Sequence, residues 1–277
     1  MSDVVKEVRD AEALRLLPEL KESLGWTDEG RSGDVDDEHL LMFLRWKPSV
    51  KRAAGRYRGF LGWKLENPGL FDSTLRISKD TELERLLRKE VVVGPPCLLT
   101  RGGGVLLIGR LRNLDFTDDG RTTTTTTRDA CRMIFYTLDR TICRPEAQHH
   151  GVTMLHDFRG VDVTKNVRVE VARTVLHGVF GHFPLRVDGI YMWKAPALFR
   201  TFFRIFSALV MPRKVRERVH FIDDLSEVES IIDLDSLPTE LGGKLEWSCN
   251  DWIEENKRHE LNGTMKTLTD VNPQVAS

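Results

Sequence analysis

Apolar and polar residues alternate along the chain with two different periods, and the change from one to the other divides it. Through residue 75 the spacing is helical. Glu38 to Lys47 reads EHLLMFLRWK, an amphipathic turn preceded by Asp34, Asp36 and Asp37, whose charges suit a helix N-terminus. Pro48-Ser49 interrupts it. Val50, Ala53, Ala54, Tyr57 and Leu61 then recur at helical spacing as far as Asn67-Pro68-Gly69, with Lys51, Arg52, Arg56 and Arg58 on the other face.

From about residue 80 helical and strand patterns alternate. TELERLLRKE predicts a helix, and GPPCLLTRGGGVLLIGRLRNL a pair of strands around a glycine turn. An Asp119-Gly120 turn and a threonine run follow, then a helix from about Arg128 to Cys143. GVTMLHDFRGV is a strand, and Val167, Val171, Val175 and Val179 mark a helix at four-residue steps. DGIYMWKAP is a third strand, followed by a phenylalanine-rich helix, a basic helical turn and a fourth strand at RVHFI. Strands separated by helices of this length require crossovers, so the fold class is α/β with a mostly parallel sheet. The expected organisation is a helical lead at 1–75, a sheet domain at 76–260 and a flexible tail at 261–277.

Composition narrows the function. Lys and Arg number 41 against 42 Asp and Glu, a net charge of −1, so the chain has no overall bias towards nucleic acid. Any basic function must be local. Cys97, Cys131, Cys143 and Cys249 lie far apart, which argues against a zinc module or a disulfide scaffold and suits reduced thiols in the cytoplasm. The start has no signal-peptide pattern, and no apolar run approaches the roughly 20 residues of a membrane span.

Enzyme signatures are absent: there is no G-x-S-x-G elbow, phosphate loop or H-E-x-x-H. Gly102, Gly103 and Gly104 precede an apolar run instead of following one, which makes them a hairpin turn and not a dinucleotide loop. His149, His150, His156, His177 and His182 show no metal-ligand spacing. Of these, His156 lies mid-strand, where it is a satisfied core residue or a polar anchor in a ligand cavity. Phe199, Phe202, Phe203, Phe206 and Val210 share one helical face. That stripe suits a buried core helix, a lid over an apolar cavity, or a face that meets lipid. Arg213, Lys214, Arg216 and Arg218 follow, by default a solvated face.

Four of these segments, in register, resemble the CRAL-TRIO lipid-transfer family: LLMFLRWKPSVKRAAGRYRGFLGWK, GVTMLHDFRGV, the stretch from Phe183 to Ile222, and LPTELGGKLEW. The resemblance covers roughly residues 35 to 250. It implies a sheet flooring an apolar pocket, the Phe199–Val210 helix as its gate, and no catalytic residue, metal or cofactor other than a bound lipid. Phosphatidylinositol carriers of the family have a Glu where this chain has Leu185, whereas the α-tocopherol and retinaldehyde carriers are apolar there, as here. An apolar side chain cannot pair inositol hydroxyls, which cost about 2–7 kcal/mol each to bury unpaired. By that resemblance the pocket positions are Ile134, Leu138, His156, Val175, Val179, Phe183, Leu185 and Ile190, with His156 replacing an aromatic. Lys47, Arg186, Lys214 and Arg218 fall on positions that contact phosphoinositide headgroups, and Asp188 stands where a further basic residue would. The implied function is a cytoplasmic, peripherally membrane-associated carrier of a retinoid, tocopherol or carotenoid-like lipid. A phosphatidylinositol or phospholipid transfer protein and a non-transferring lipid sensor are the alternatives.

Overall fold

The structure, a computed structural model, describes residues 2–26, 36–117 and 125–273; Asp34 and the Asp119-Gly120 turn lie outside them. The lead comprises α1 (Ser2–Ser23), α2 (Asp37–Trp46) and α3 (Val50–Glu66). Asp36 caps α2 by accepting the Glu38 N–H at 3.0 Å, with Asp37 and Glu38 in the first turn, as the acidic run implies. Then come α4 (Thr81–Leu87), β1 (Val92–Val93), β2 (Val105–Gly109), α5 (Thr127–Ile142), α6 (Pro145–His150) and β3 (Val152–Asp157). They are followed by α7 (Val163–Asn166), α8 (Val169–Gly181), β4 (Val187–Trp193), α9 (Ala197–Val210), α10 (Arg213–Arg216), β5 (Val219–Ile222) and α11 (Cys249–Asn262).

The sheet runs β1-β2-β3-β4-β5 in spatial order, antiparallel at β1-β2 and parallel elsewhere. Parallel neighbours in chain order, joined by crossovers of the one common hand, carry those crossovers on a single face. The pleat then sorts side chains by parity. Leu107, Met154, Ile190 and Met192 look towards the helices. Leu106, Ile108, Leu155, Tyr191 and Trp193 look the other way, into a second core closed by Val228, Ile232, Leu237 and Leu241.

Two expectations need correction. The strand pair around Gly102–Gly104 is half formed: the turn closes through Thr100 N–H to Gly104 O at 2.7 Å, but Leu99 makes only an isolated bridge to Val105. Pro95 and Pro96 lack the N–H that a longer strand there would use, so the antiparallel partner of β2 is β1. The tail, expected to be flexible, is packed through residue 271. Leu268 and Val271 are fully buried, and buried Lys64 donates to the Leu268, Thr269 and Val271 carbonyls at 3.1, 2.8 and 2.6 Å. Asp139, also buried, accepts the Leu268 N–H at 2.9 Å and the Thr269 hydroxyl at 3.0 Å, and His39 Nε2 donates to the Thr267 carbonyl at 2.9 Å.

Those contacts make the tail a strap between the lead and α5. Ending the chain after Lys266 strands Lys64 and Asp139 in the interior, and removing one side of such a buried charged contact costs about 3–5 kcal/mol. Urea unfolding of that truncation should show a loss of this size; an unchanged midpoint would mean that the strap contributes nothing.

Candidate functional site

Between the β2–β4 face and α5, α8 and α9 lies an apolar cavity of about 200 Å3. Ile134 and Leu138 reach it from α5, Val175 and Val179 from α8, and His156 and Ile190 from the sheet. Phe199, Phe202, Phe203 and Phe206 of α9 all line it; Val210 ends the helix with its side chain outside the described residues. Phe199 is seated 4.4 Å, centroid to centroid, from Phe158, and Phe203 5.6 Å from Phe221.

Two of the eight pocket positions lie elsewhere. Phe183 is fully buried in an aromatic cluster, 4.8 Å from Phe71, 5.3 Å from Trp63 and 5.5 Å from Phe135. It follows the end of α8, where the chain turns back under α3 before entering β4. Leu185 lines a second, basic groove. Sequence reasoning missed Met154 and Met192, which the strand period supplies from His156 and Ile190, their cross-strand neighbour Leu107, and also Leu111, Leu114, Phe116 and Met211, which lie in irregular segments without a period.

His156 lies across the backbone of its β2 neighbour Gly109: a Cβ there would sit 2.2 Å from the imidazole Nδ1. Glycine is what admits the ring. Nδ1 is buried without a partner, and burial pushes the imidazole pKa down to about 4. The next residue, Asp157, is the opposite case. Fully buried, it accepts from Arg112 at 2.5 Å and from the Arg159 guanidinium at 2.9 and 3.0 Å, and those contacts hold its pKa low against burial.

The basic groove gathers Lys47, Arg186, Lys214 and Arg218 from the residue after α2, the segment before β4, α10 and the residue before β5, and adds Arg9, Arg52 and Arg56. Several of these are already engaged. Arg218 donates to the Val187 carbonyl, and Arg186 donates to His149 O at 3.3 Å and lies 3.8 Å from Asp188. Asp188 is not in the groove wall, and burial raises its pKa. Arg56 closes the end of α8 by donating to Phe180 O at 2.7 Å, Gly181 O at 2.6 Å and Phe183 O at 3.0 Å. Burial brings its pKa down to about 10. Lys47 and Lys214 are exposed and have no ion-pair partner among the described residues. Phe180 lines both the groove and the cavity.

Among the described residues no cluster of three or more His, Cys, Asp or Glu side chains could hold a metal, and no helix is long and apolar enough to cross a membrane.

The family described as CRAL/TRIO domain matches residues 100–243. The human tyrosine-protein phosphatase non-receptor type 9 is 32% identical over 119 residues, 43% of this chain and 20% of the phosphatase. The mouse alpha-tocopherol transfer protein-like protein is 26% identical over 219 residues, 76% of this chain and 60% of that protein. The chain thus spans about a fifth of the phosphatase and three fifths of the tocopherol-transfer relative. The crystal structure of Sfh5 superposes with a TM-score of 0.56 at 13% identity, covering 95% of both chains, and so shares the fold.

His156 gives the site a titration signature. Its folded pKa of about 4 lies below the ordinary 6.5, so the unfolded chain binds the proton more readily. The stability it contributes is fully present above pH 6.5 and lost as the pH falls towards 4. His156→Phe should flatten that acid limb by on the order of 3 kcal/mol relative to wild type, measured as the difference in unfolding free energy at pH 7 and pH 4.5. Parallel pH profiles for the two proteins would show that the ring is not buried as described.

Proposed function

We propose that this chain, which belongs to the CRAL/TRIO domain family, carries a small, largely apolar lipid of the retinoid, tocopherol or carotenoid kind between membranes. Its basic groove would meet phosphoinositide headgroups at the peripheral membrane surface. The family is one of lipid binding and transfer. The observation that carries the finer reading is α9, which is apolar on two faces. Its phenylalanines close the cavity, while Leu198, Ile205 and Leu209 stand 67%, 66% and 81% exposed on the outside. A helix of a water-facing lid has no use for that outer stripe; an interfacial helix does.

Size supports a moving gate. An engineered cavity of about 150 Å3 holds one benzene, so about 200 Å3 takes a ligand only slightly larger. A lipid of the proposed class needs α9 to swing away from the sheet. Phe180 makes the groove and the cavity neighbours, so a headgroup in the groove lies against the same helix that walls the lipid. Leu185, in the groove wall, offers no acceptor to an inositol ring, which favours a headgroup held at the surface by cations over a phosphatidylinositol carried as cargo.

Transfer of a fluorescent tocopherol analogue from donor to phosphoinositide-containing acceptor vesicles tests the reading. Ile205→Asp and Leu209→Asp should slow transfer at least tenfold with an unchanged melting temperature, because both side chains are already in water. A wild-type protein that binds the analogue but never transfers it would make the chain a sensor. At the groove, Lys47→Ala with Lys214→Ala should weaken vesicle binding about thirtyfold at low salt, at about 1 kcal/mol per cation, and less at high salt. Unaltered binding would remove the phosphoinositide reading.

A further inference from the structure

The cavity wall is apolar with one exception that is not spoken for. Asn166 and Arg168 also line it, but their polar atoms are committed. Asn166 donates to Leu114 O at 2.5 Å and accepts the Asp162 N–H at 2.7 Å, and Arg168 donates to Thr164 O at 3.0 Å and Phe116 O at 3.1 Å. His156 is different. Among the described residues no group hydrogen-bonds either ring nitrogen, and Nδ1 is sealed against Gly109, which leaves Nε2 as the nitrogen that meets the cavity.

A buried polar atom without a partner costs free energy that an apolar side chain at the same place would not. A single water is a poor remedy, because it needs two to four polar partners and the wall offers one. With the proton on Nε2, the sealed Nδ1 carries only a lone pair and the ring aims its N–H into the cavity.

We propose that His156 is the selectivity residue of this cavity and that it admits an apolar lipid bearing one neutral oxygen, a hydroxyl or a carbonyl, which accepts the Nε2–H. Being neutral, the ring supplies a hydrogen bond and no charge, so a pure hydrocarbon and a carboxylate are both disfavoured against an alcohol. Gly109 is the second half of the device, since any larger residue on β2 would take the space in which the imidazole lies. The proposal rests on the carrier reading, because it needs the cavity to take a lipid.

The probes are 1-octanol, octane and octanoate, of a size suited to about 200 Å3, titrated by NMR into wild type and His156→Phe. The ratio of octanol to octane affinity should fall about tenfold in the variant, the equivalent of one hydrogen bond. Comparing ratios between the two proteins cancels the different hydration of the probes. In the wild type, the His156 side-chain nitrogen resonances should shift with octanol and stay put with octane, a readout that does not depend on the variant folding. An equal ratio in both proteins, or a preference for octanoate over octanol, overturns the selectivity role and leaves the carrier reading standing. Failure of all three probes to bind overturns the carrier reading and this proposal with it.

Discussion

A parallel sheet must be covered on both faces, and in this chain the two covers are unequal. The face carrying Leu106, Ile108, Leu155, Tyr191 and Trp193 is sealed by short turns between residues 225 and 247, whose apolar side chains fill it. The opposite face is covered by helices that also have to serve the lead. α8 is held at its end by Arg56 from α3, and its neighbour Phe183 is drawn into the aromatic cluster under Trp63. With α8 fixed there, the space above Met154, His156 and Ile190 falls to α9, which rests on Phe158 and Phe221 through Phe199 and Phe203. The cavity is what remains between a sheet fixed by its ladder and a cover fixed at one side.

The phenylalanine stripe of α9 and the strand carrying His156 were legible because each follows one period that survives folding unchanged. Other features were not. Leu198, Ile205 and Leu209 obey the same arithmetic as the phenylalanines, at offsets 0, 7 and 11, but a helix apolar on several faces reads as buried, and only the structure shows that none of the described residues covers them. The tail strap depends on Lys64, Asp139 and His39, three isolated polar residues from three helices. No local pattern announces that their partners are the backbone groups of residues 267–271. Phe183 and Leu185 were assigned to the pocket by family resemblance alone; they sit between a helix end and a strand start, where neither period assigns a face. The gathering of Lys47, Arg186, Lys214 and Arg218 came from family resemblance and not from spacing, and the geometry adds which of them are already bonded to carbonyls.

The two apolar faces of α9 place a physical condition on the proposed carrier cycle. Closed, the helix buries Phe199 and Phe206, half-buries Phe202 and Phe203, and leaves three aliphatic side chains in water. Opened in water, it would expose the phenylalanines as well, at about 1.5–3 kcal/mol for each ring brought fully into solvent, several kcal/mol in all. At a bilayer both stripes find apolar surroundings, so the cost of opening falls where the lipid has somewhere to go. Such a gate needs no chemical signal to stay shut in solution. In the proposed cycle the cations of the groove have a separate task, which is to decide which membrane surface the helix is held against. Lys47, Arg52 and Lys214, exposed and without an ion-pair partner among the described residues, are the ones free to perform it.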